Sequence, residues 1–260
     1  MNYQTITVKK NKNKAILMLN QPEILNAITK ETLYELQAAV DELNADKNIQ
    51  IVIIGAEGTK AFSVGGNIKE EFNMSVTEAR KWSEQGHKLT SSIENSDKVY
   101  IAAIHGYTIG AGCEIAIACD FRLAADNTLI SVPAIKLGMI CGFGGNVRLP
   151  RLIGKTKAKE LLMTGNSMDA EEAYRVGFLN QIVPREQLLD ATLAFSEGLT
   201  NKSSAAMALA KKAIDFSMNS KIENAIINEI VLFTEASQLH DRKEGMSAFI
   251  EKRTPKFTGR

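Results

Sequence analysis

The chain has 260 residues, of which 45% are hydrophobic and 23% are charged, and its 31 basic and 30 acidic residues give a net charge of +1. A chain of this length and composition suits a globular protein with one core, or with one core and an appendage. The balanced charge gives no electrostatic case for nucleic acid or an anionic membrane as a partner.

The first half of the chain is predicted to alternate strands and helices. Residues 29–44 carry apolar side chains on one helical face, and Thr29 is a suitable N-cap. The segments IQIVIIGA and VYIAAI are almost wholly apolar, which is typical of strands that are covered on both faces. The predicted helices lie at 29–44, 77–95 and 114–119, and the predicted strands lie at 5–8, 15–20, 49–56, 99–104, 120–125 and 128–132, the first two joined by the polar turn KKNKNK. This alternation indicates a layered α/β core.

After about residue 150 the pattern becomes helical. Asp169 caps a predicted helix that ends at Gly177, and Pro184 opens the next one. Further helices are predicted at 155–163, 203–219, 221–239 and 241–253, and the only strand-like segment is 180–183. We expect the helical tail to pack on the core or on a neighbouring subunit.

The N-terminal segment MNYQTITVKKNKNKA lacks the apolar region of a signal peptide, and no apolar run reaches the roughly 18 residues of a membrane span. The three cysteines, Cys113, Cys119 and Cys141, include no CxxC pair, so neither a disulfide framework nor a structural zinc site is expected. We therefore expect a cytoplasmic protein with reduced thiols, no membrane contact and no bound metal.

Two glycine-containing loops, AFSVGGNIKEEF and GYTIGAGCEIA, each follow a buried predicted strand. Small residues let the backbone approach a ligand, and each loop is predicted to open a helix whose first N–H groups lack partners. Side by side, the two loops would aim two N–H donors at one carbonyl oxygen, which is the requirement of an oxyanion hole. Either loop alone is more typical of a turn that binds nothing. Neither is a GxGxxG or GxxxxGK[ST] motif, so nucleotide binding through those motifs is not indicated.

Glu114 lies among small and apolar residues in the segment IGAGCEIAI. A carboxylate is rarely buried unless it is paired or functional. One interpretation is a structural group that is bonded to backbone N–H groups. The other is a carboxylate that faces a ligand, with a pKa that burial raises toward neutrality, as acid–base catalysis requires.

The chain resembles the crotonase superfamily, the enoyl-CoA hydratase/isomerase proteins, almost from end to end. The resemblance is carried by the segments ILNAI, AFSVGGNIKE, AAIHGYTIGAGCEIAIACDFRLAA, VPAIKLGMICGFGGNVRLPRLIG, AKELLMTGN, DAEEAYRVGFLNQIV and DRKEGMSAFIEKR. It implies an α/β fold with a crotonase-like spiral of ββα units over residues 1–200, which holds a CoA-thioester site, and a helical trimerisation region over residues 201–260. It also implies an enzyme of fatty acid metabolism that acts on an acyl-CoA thioester through an enolate-like intermediate. The expected oligomer is a homotrimer or a dimer of trimers.

The resemblance places the two oxyanion donors on the backbone N–H groups of Gly66 and Ala111. Ala111 stands where the family usually has glycine, a difference that is compatible with the role if the alanine φ is negative. Asn67 stands where the family often has aspartate. This difference affects the expected cap of the local helix or the expected adenine pocket. The expected CoA contacts are Gly66, Asn67, Ile68, Lys69, Phe249 and Lys252, with Lys69 on a phosphate and the last two often reaching an adjoining subunit. CoA arrives as part of the substrate, and no other cofactor is implied.

Glu114 matches the first of two glutamates that flank the reacting carbons in the hydratases. Ala134, in the segment SVPAIKLG, stands at the second position, which is that of the expected proton donor. This difference puts both ordinary two-glutamate hydration and simple isomerisation in doubt. Cys141 lies on the loop that follows, but a thiol is a weak donor, and we favour a packing role for it.

The histidines and two aromatic residues are other candidates for the site, but we expect them to have structural rather than catalytic roles. The histidines, His87, His105 and His240, give no Ser-His-Asp order and are expected to be solvated or at the edge of the core. Phe72 and Trp82 are either a lid or wall of the acyl pocket or part of the core, and we favour the core.

The resemblance, together with the alanine at residue 134, leaves three hypotheses for function. The first is hydration of an enoyl- or dienoyl-CoA, or the reverse dehydration, with Glu114 as the main acid–base group. The second is CoA-thioester decarboxylation, because loss of CO2 yields the enolate directly and needs fewer proton-transfer groups. The third is a non-catalytic acyl-CoA-binding homologue, since a fold alone does not settle function.

Overall fold

The computed structural model describes residues 3–260 and arranges their strands in two sheets. The larger sheet has the order β1-β2-β3-β5-β7-β10, and its strands are β1 (Ile6–Asn11), β2 (Lys14–Leu19), β3 (Ile51–Ala56), β5 (Val99–Ile104), β7 (Phe121–Ala125) and β10 (Gln181–Val183). The smaller sheet has the order β4-β6-β8-β9, and its strands are β4 (Ala61–Ser63), β6 (Tyr107–Ile109), β8 (Leu129–Ser131) and β9 (Ser167–Asp169). Among these described strands, β1–β2 and β8–β9 pair antiparallel and the other neighbours pair parallel. The α/β class that the sequence predicts is therefore confirmed.

The helices surround these sheets and then form a C-terminal group. They are α1 (Lys30–Ala45), α2 (Ile68–Glu71), α3 (Val76–Glu94), α4 (Ala111–Ala118), α5 (Gly145–Ile153), α6 (Lys155–Thr164), α7 (Ala170–Arg175), α8 (Leu188–Thr200), α9 (Ser204–Ser217), α10 (Ile222–Gln238) and α11 (His240–Ile250). Among them, α1 begins where its cap predicts, because the Thr29 side chain accepts a 3.0 Å hydrogen bond from the amide of Thr32. Short 3-10 turns occur at Pro22–Ile24, Pro133–Leu137 and Arg185–Gln187.

The central strands β3 and β5 are buried on both faces, as their apolar sequences predict. Alternate side chains point to opposite sides of the sheet, so Val52 and Ile54 join one hydrophobic cluster while Ile51 and Ile53 join the other. The first cluster includes side chains of α1, α3 and α4, and the second includes side chains of α8. The larger sheet is thus a rigid layer between two hydrophobic clusters.

The structure corrects several of the predicted elements. The turn between β1 and β2 is much shorter than KKNKNK, because Lys12 adopts a left-handed φ of 52° and both strands extend toward it. The helix predicted at 114–119 begins at Ala111, directly after Gly110. The segment 180–183 is not the only strand after residue 150, since β9 pairs with β8. The last helix ends at Ile250 rather than at residue 253.

The C-terminal helices α9 to α11 leave large apolar side chains in contact with solvent. Helix α10 exposes Ile222, Ile226, Ile230 and Phe233, which recur at helical spacing along one side. Among residues 3–260, no helix is both long enough and apolar enough to cross a bilayer. The division at residue 200 falls at the end of α8 and stays a prediction.

Candidate active site

Three parallel strands of the smaller sheet, β4, β6 and β8, end at the same edge. Their register pairs Ser63 with Thr108 and Ile109 with Ser131. The first glycine loop follows β4, the second follows β6, and Pro133 and Ala134 follow β8. Ligands of open α/β sheets bind beyond the carboxyl ends of parallel strands, and this edge carries the residues that the sequence singled out.

The first glycine loop is held by the ILNAI segment. The amide of Ile28 donates to the carbonyl of Gly65 at 2.8 Å, and the amide of Asn67 donates to the carbonyl of Ile28 at 2.9 Å. Asn26, in the middle of the segment, ties it to strand β4, because its side-chain amide donates to the carbonyl of Ala61 at 3.1 Å. This network explains why ILNAI, far from the loop in sequence, belongs to the same site.

The second glycine loop turns directly into helix α4. Gly110 has φ 51° and ψ −123°, a conformation that only glycine adopts readily, and its amide donates to the carbonyl of Ser131 at 2.9 Å. Ala111 is the first helical residue and is not among the residues with positive φ, so the condition that the sequence set for this alanine is met.

The two loops touch each other. A Cβ added at Gly65 would lie 3.0 Å from the carbonyl oxygen of Ile109 and 3.4 Å from the amide nitrogen of Ala111. Within the described part of the chain, the amides of Gly66 and Ala111 donate no hydrogen bond to a protein acceptor. Ala111 is buried and Gly66 is partly buried, and N–H groups without partners are rare in such places, so these two amides on adjoining loops are available to an external acceptor.

Glu114 projects from the first turn of α4 into a cavity of about 190 Å³ that Gly66 and Ala111 also line. The residue is 4% exposed. Its Oε1 atom accepts hydrogen bonds from the amide of Phe143 at 2.8 Å and from that of Gly145 at 2.7 Å. The structural interpretation of Glu114 is therefore confirmed by its bonds to backbone N–H groups, whereas its catalytic role stays a prediction that its place in the cavity wall allows.

Burial raises the pKa of the Glu114 carboxyl group, because a charge loses solvation inside the protein. The amides of Gly145 and Phe143 act in the opposite direction, as does the more distant charge of Arg148. The net rise favours a group that exchanges a proton closer to neutral pH than an exposed glutamate does.

The remaining cavity wall is largely apolar. It includes Val64, Ile68, Met74, Trp82, Ile109, Leu137, Met139, Ile140 and Phe143. Trp82 packs on Phe143 with a ring-centroid distance of 5.1 Å and so belongs to this wall as well as to the core. Phe72 is 86% exposed and does not line the cavity, so our assignment of it to the core is wrong.

Ala134, which the sequence resemblance predicts to stand at the position of the second glutamate, lines the same cavity. Cys141 is also in the wall, and burial together with the charge of Glu114 raises the pKa of its thiol to about 12. A thiol with this pKa is a poor acid–base group near neutrality, which agrees with a packing role.

A second carboxyl group in the cavity was missed by the sequence analysis. Glu71, the last residue of the short helix α2, is half-buried and lines the wall beside Gly66. The sequence contains a weak signal, since the acidic pair Glu70–Glu71 follows the first glycine loop, but a pair of glutamates on a short helix is usually solvated.

The other predicted CoA contacts lie outside the cavity or at its mouth. Ile68 lines it and is 51% exposed, whereas Asn67 caps α2 by accepting a 3.1 Å hydrogen bond from the amide of Lys69. Lys69 is exposed and is not part of the wall. Phe249 and Lys252 lie at the end of α11 and do not enter the cavity of their own chain.

The predicted histidines are also away from the cavity. His105 is 1% exposed, its Nε2 has no partner among the described residues, and burial lowers its pKa to about 4. It is therefore a neutral core residue rather than the edge residue that the sequence analysis expected. His87 and His240 do not line the cavity.

The chain is similar to known enoyl-CoA hydratases over almost its whole length. A family model described as enoyl-CoA hydratase/isomerase matches residues 9–260. A crotonyl-CoA hydratase of Syntrophomonas wolfei is 39% identical over 257 residues, which are 99% of each chain. A short-chain-enoyl-CoA hydratase of Clostridium acetobutylicum is 35% identical over 97% of each chain. The crystal structure of an enoyl-CoA hydratase from Bacillus anthracis superimposes with a TM-score of 0.95 at 32% identity, covering 99% of this chain and 100% of that one. The chain belongs to the enoyl-CoA hydratase/isomerase family.

Proposed function

We propose that this protein is an enoyl-CoA hydratase, which adds water across the α,β double bond of an enoyl-CoA thioester and catalyses the reverse dehydration. The observation that supports this most strongly is that buried Glu114 shares a cavity with the two unpaired amides of Gly66 and Ala111. Relatives that are named crotonyl-CoA hydratase and short-chain-enoyl-CoA hydratase support the same reaction.

In this proposal the thioester oxygen accepts hydrogen bonds from the amides of Gly66 and Ala111. As water adds at the β-carbon, negative charge moves onto that oxygen, and the amides become stronger partners for the transition state than for the substrate. Removing one donor from an oxyanion hole typically slows catalysis by about 10²–10³-fold. The donors belong to backbone that is fixed by the loop network, so they need little reorganisation during the reaction.

Glu114 holds and activates the water. Its Oε1 is occupied by the amides of Phe143 and Gly145, which leaves Oε2 for a water molecule or a substrate proton. The carboxylate takes a proton from water while the water oxygen bonds to the β-carbon. A raised pKa makes this carboxylate a stronger base than an exposed one, provided that it is ionised when the substrate binds.

The charge of the cavity argues against the decarboxylase alternative. A malonyl-type substrate carries a free carboxylate that needs a cationic or hydrogen-bonding partner. No lysine, arginine or histidine of residues 3–260 lines the cavity, whereas Glu71 and Glu114 do. Two acidic groups in an apolar cavity disfavour the binding of a substrate carboxylate beside them.

We further propose that CoA binds as part of the substrate along the segment Gly66 to Lys69, and that no separate cofactor takes part. Lys69 is exposed and makes no ion pair within the described chain, so its ammonium group is available to a phosphate. Phe249 is 86% exposed at the end of α11, which suits contact with the ligand of an adjoining subunit.

The oligomer that we propose is a homotrimer, alone or paired as a dimer of trimers. Helices α9 to α11 expose Ile214, Phe216, Ile222, Ile226, Ile227, Ile230, Val231, Phe233, Met246, Phe249 and Ile250. A monomer rarely exposes so many large apolar side chains on adjacent elements, because leaving them in water forgoes their burial energy. The face therefore fits an interface between copies of the chain.

The test is to incubate the protein separately with crotonyl-CoA, a cyclic dienoyl-CoA and methylmalonyl-CoA, and to follow the mass of each thioester. We expect gain of one water on crotonyl-CoA or the dienoyl-CoA. Loss of CO2 from methylmalonyl-CoA would support the decarboxylase instead, and binding of all three without turnover would support a non-catalytic homologue.

A further inference from the structure

Glu71 occupies an unusual place for an acidic side chain. Its Oε1 lies so close to Gly66 that a Cβ added there would collide with the carboxylate. Within the described chain its carboxylate has no hydrogen-bond or ion-pair partner. The adjacent Glu70 is oriented differently, because its Oε2 accepts a 2.9 Å hydrogen bond from the amide of Lys30. Only one of the two neighbouring glutamates therefore lies against the oxyanion loop.

Glu71 is half-buried in a largely apolar cavity and has no donor or cation to pair with among the described residues, so it loses part of its solvation without compensation, which indicates a function. If Glu114 is the only acid–base group, hydration lacks a proton donor for the α-carbon. Ala134 cannot supply it, and the Cys141 thiol is a weak acid. The α-carbon is two bonds from the thioester oxygen, and that oxygen is bound at Gly66 in the proposed complex. A group that lies against Gly66 is thus close to the atom that needs the proton.

We propose that Glu71 is the second proton-transfer group of the site and exchanges the proton at the α-carbon of the acyl chain. This inference rests on the proposed enoyl-CoA hydratase function and assigns the step that the missing glutamate leaves open.

Hydration with these two carboxyl groups conserves protons and electrons. The water oxygen forms a bond to the β-carbon, and one water proton moves to the Glu114 carboxylate. The electron pair of the carbon–carbon double bond passes into the thioester enolate. The Glu71 carboxylic acid then gives its proton to the α-carbon and becomes a carboxylate. Transfer of the proton from Glu114 to Glu71, directly or through solvent, restores the starting state.

The electrostatics of the site favour a protonated Glu71 in the complex. Burial raises the pKa of the Glu71 carboxyl group, and the neighbouring charge of Glu70 raises it further. An enolate oxygen held at Gly66 would act in the same direction, because like charges at close range disfavour ionisation. Delivery of the proton to carbon discharges the enolate and so removes that repulsion.

The first experiment measures crotonyl-CoA hydration by Glu71→Gln, with Glu70→Gln as the matched control. Glutamine preserves the size of the side chain and cannot transfer a proton. We expect kcat to fall by roughly 10²–10⁴-fold in Glu71→Gln, the range for loss of a general acid, and to change no more than a few-fold in Glu70→Gln. Equal hydration rates in wild type, Glu71→Gln and Glu70→Gln would overturn the inference and leave the hydratase proposal standing.

The second experiment isolates the α-carbon with butanoyl-CoA, which has no double bond to hydrate. Incubation in D2O exchanges an α-proton for deuterium, and mass spectrometry follows it. We expect Glu71→Gln to lose this exchange and Glu114→Gln to retain it. The opposite pattern would assign the α-proton to Glu114 and overturn the inference. Wild-type protein that hydrates neither crotonyl-CoA nor the cyclic dienoyl-CoA, and does not exchange butanoyl-CoA, would overturn this inference and the proposed function together.

The third variant guards against loss of activity by misfolding. In the double variant Glu71→Gln/Ala134→Glu, a carboxyl group returns to the position that the hydratases use. We expect it to recover at least 10-fold of the hydration rate that Glu71→Gln loses. If both variants melt like wild type and the double variant recovers nothing, Glu71 and residue 134 do not share a role, and the inference fails.

Discussion

The amide of Gly145 donates a 2.7 Å hydrogen bond to Oε1 of Glu114, across 31 positions of the sequence. This contact joins helix α4 to the start of α5, so the segment that follows Ala134 orients Glu114. The Glu114 carboxylate is thus fixed by backbone groups rather than by a charged partner. Its position depends on the main chain near Gly145, where a side chain at that residue would crowd Cys141.

Replacing Glu114 with glutamine should abolish hydration and preserve the fold. The amide oxygen of glutamine still accepts hydrogen bonds from Phe143 and Gly145, but it cannot take a proton from water. We expect kcat for crotonyl-CoA hydration to fall by about 10²–10⁴-fold, measured by the mass of the product. Hydration at the wild-type rate would show that Glu114 is not the acid–base group.

The same variant should change the pH dependence of stability. Because the pKa of Glu114 is raised on folding, its contribution is fully present below the unfolded pKa of about 4 and is lost as the pH rises through the folded pKa. Wild type should therefore lose stability relative to Glu114→Gln as the pH rises above about 4. Urea unfolding of both proteins at acidic and at neutral pH measures the change in this difference. A difference that is constant with pH contradicts the raised pKa.

A carboxyl group at residue 134 should increase activity when proton delivery to the α-carbon limits the rate. Ala134 lines the cavity, so a glutamate at this position would project toward a bound substrate. We expect Ala134→Glu to hydrate crotonyl-CoA faster than wild type if the missing acid limits the rate. The control is Ala134→Gln, which adds similar bulk without a proton to give. A rise in both variants, or in neither, would mean that the absence of this acid does not limit hydration.

The contact between the two glycine loops can be tested at Gly65. This residue has φ +93°, and an added Cβ would meet the carbonyl oxygen of Ile109 at 3.0 Å. Gly177 has a comparable φ of +80° with nothing within 4 Å of an added Cβ, so Gly177→Ala carries similar backbone strain without the clash. We expect each alanine to cost about 1–2 kcal/mol of unfolding free energy, and only Gly65→Ala to slow hydration at least 10-fold. Equal activity in both variants would contradict a role for the loop contact.

The exposed face of α10 should hold copies of the chain together. Phe233 is 74% exposed, and aspartate at this position would bury a charge in any interface that forms there. We expect Phe233→Asp to shift the mass in solution from trimer or hexamer toward monomer, as measured by light scattering. Glu235→Asp, on the same helix, changes no charge and should keep the wild-type mass. A monomeric wild type would contradict the proposed interface.

The parts of the fold that the sequence predicts are those that local patterns determine. The apolar run of β3 and the Thr29 cap of α1 each report a buried strand or a helix start within a few residues, and both are confirmed. Helix α4 was predicted to begin too late because its first turn, from Ala111 to Cys113, consists of small residues without a periodic pattern. Strand β9 was missed because it has three residues and one buried side chain, Met168.

Some residues of the candidate site can be predicted from the sequence and others cannot. The glycine loops and Glu114 carry a local signal, and the position of Ala134 follows from the family resemblance. The partners of Glu114 cannot be read from the sequence, since Phe143 and Gly145 act through backbone amides that any residue supplies. Glu71 is a similar case. The sequence shows a glutamate at this position, but its approach to Gly66 depends on how α2 turns back toward the loop.

The most direct test of the account is a crystal structure of the protein with butanoyl-CoA bound. We predict that the thioester oxygen lies within about 3 Å of the amide nitrogens of both Gly66 and Ala111, the usual distance for N–H···O hydrogen bonds, with the Glu114 carboxylate facing the α- and β-carbons. A thioester oxygen bound away from these two amides, or a Glu114 side chain turned from the acyl chain, would contradict it.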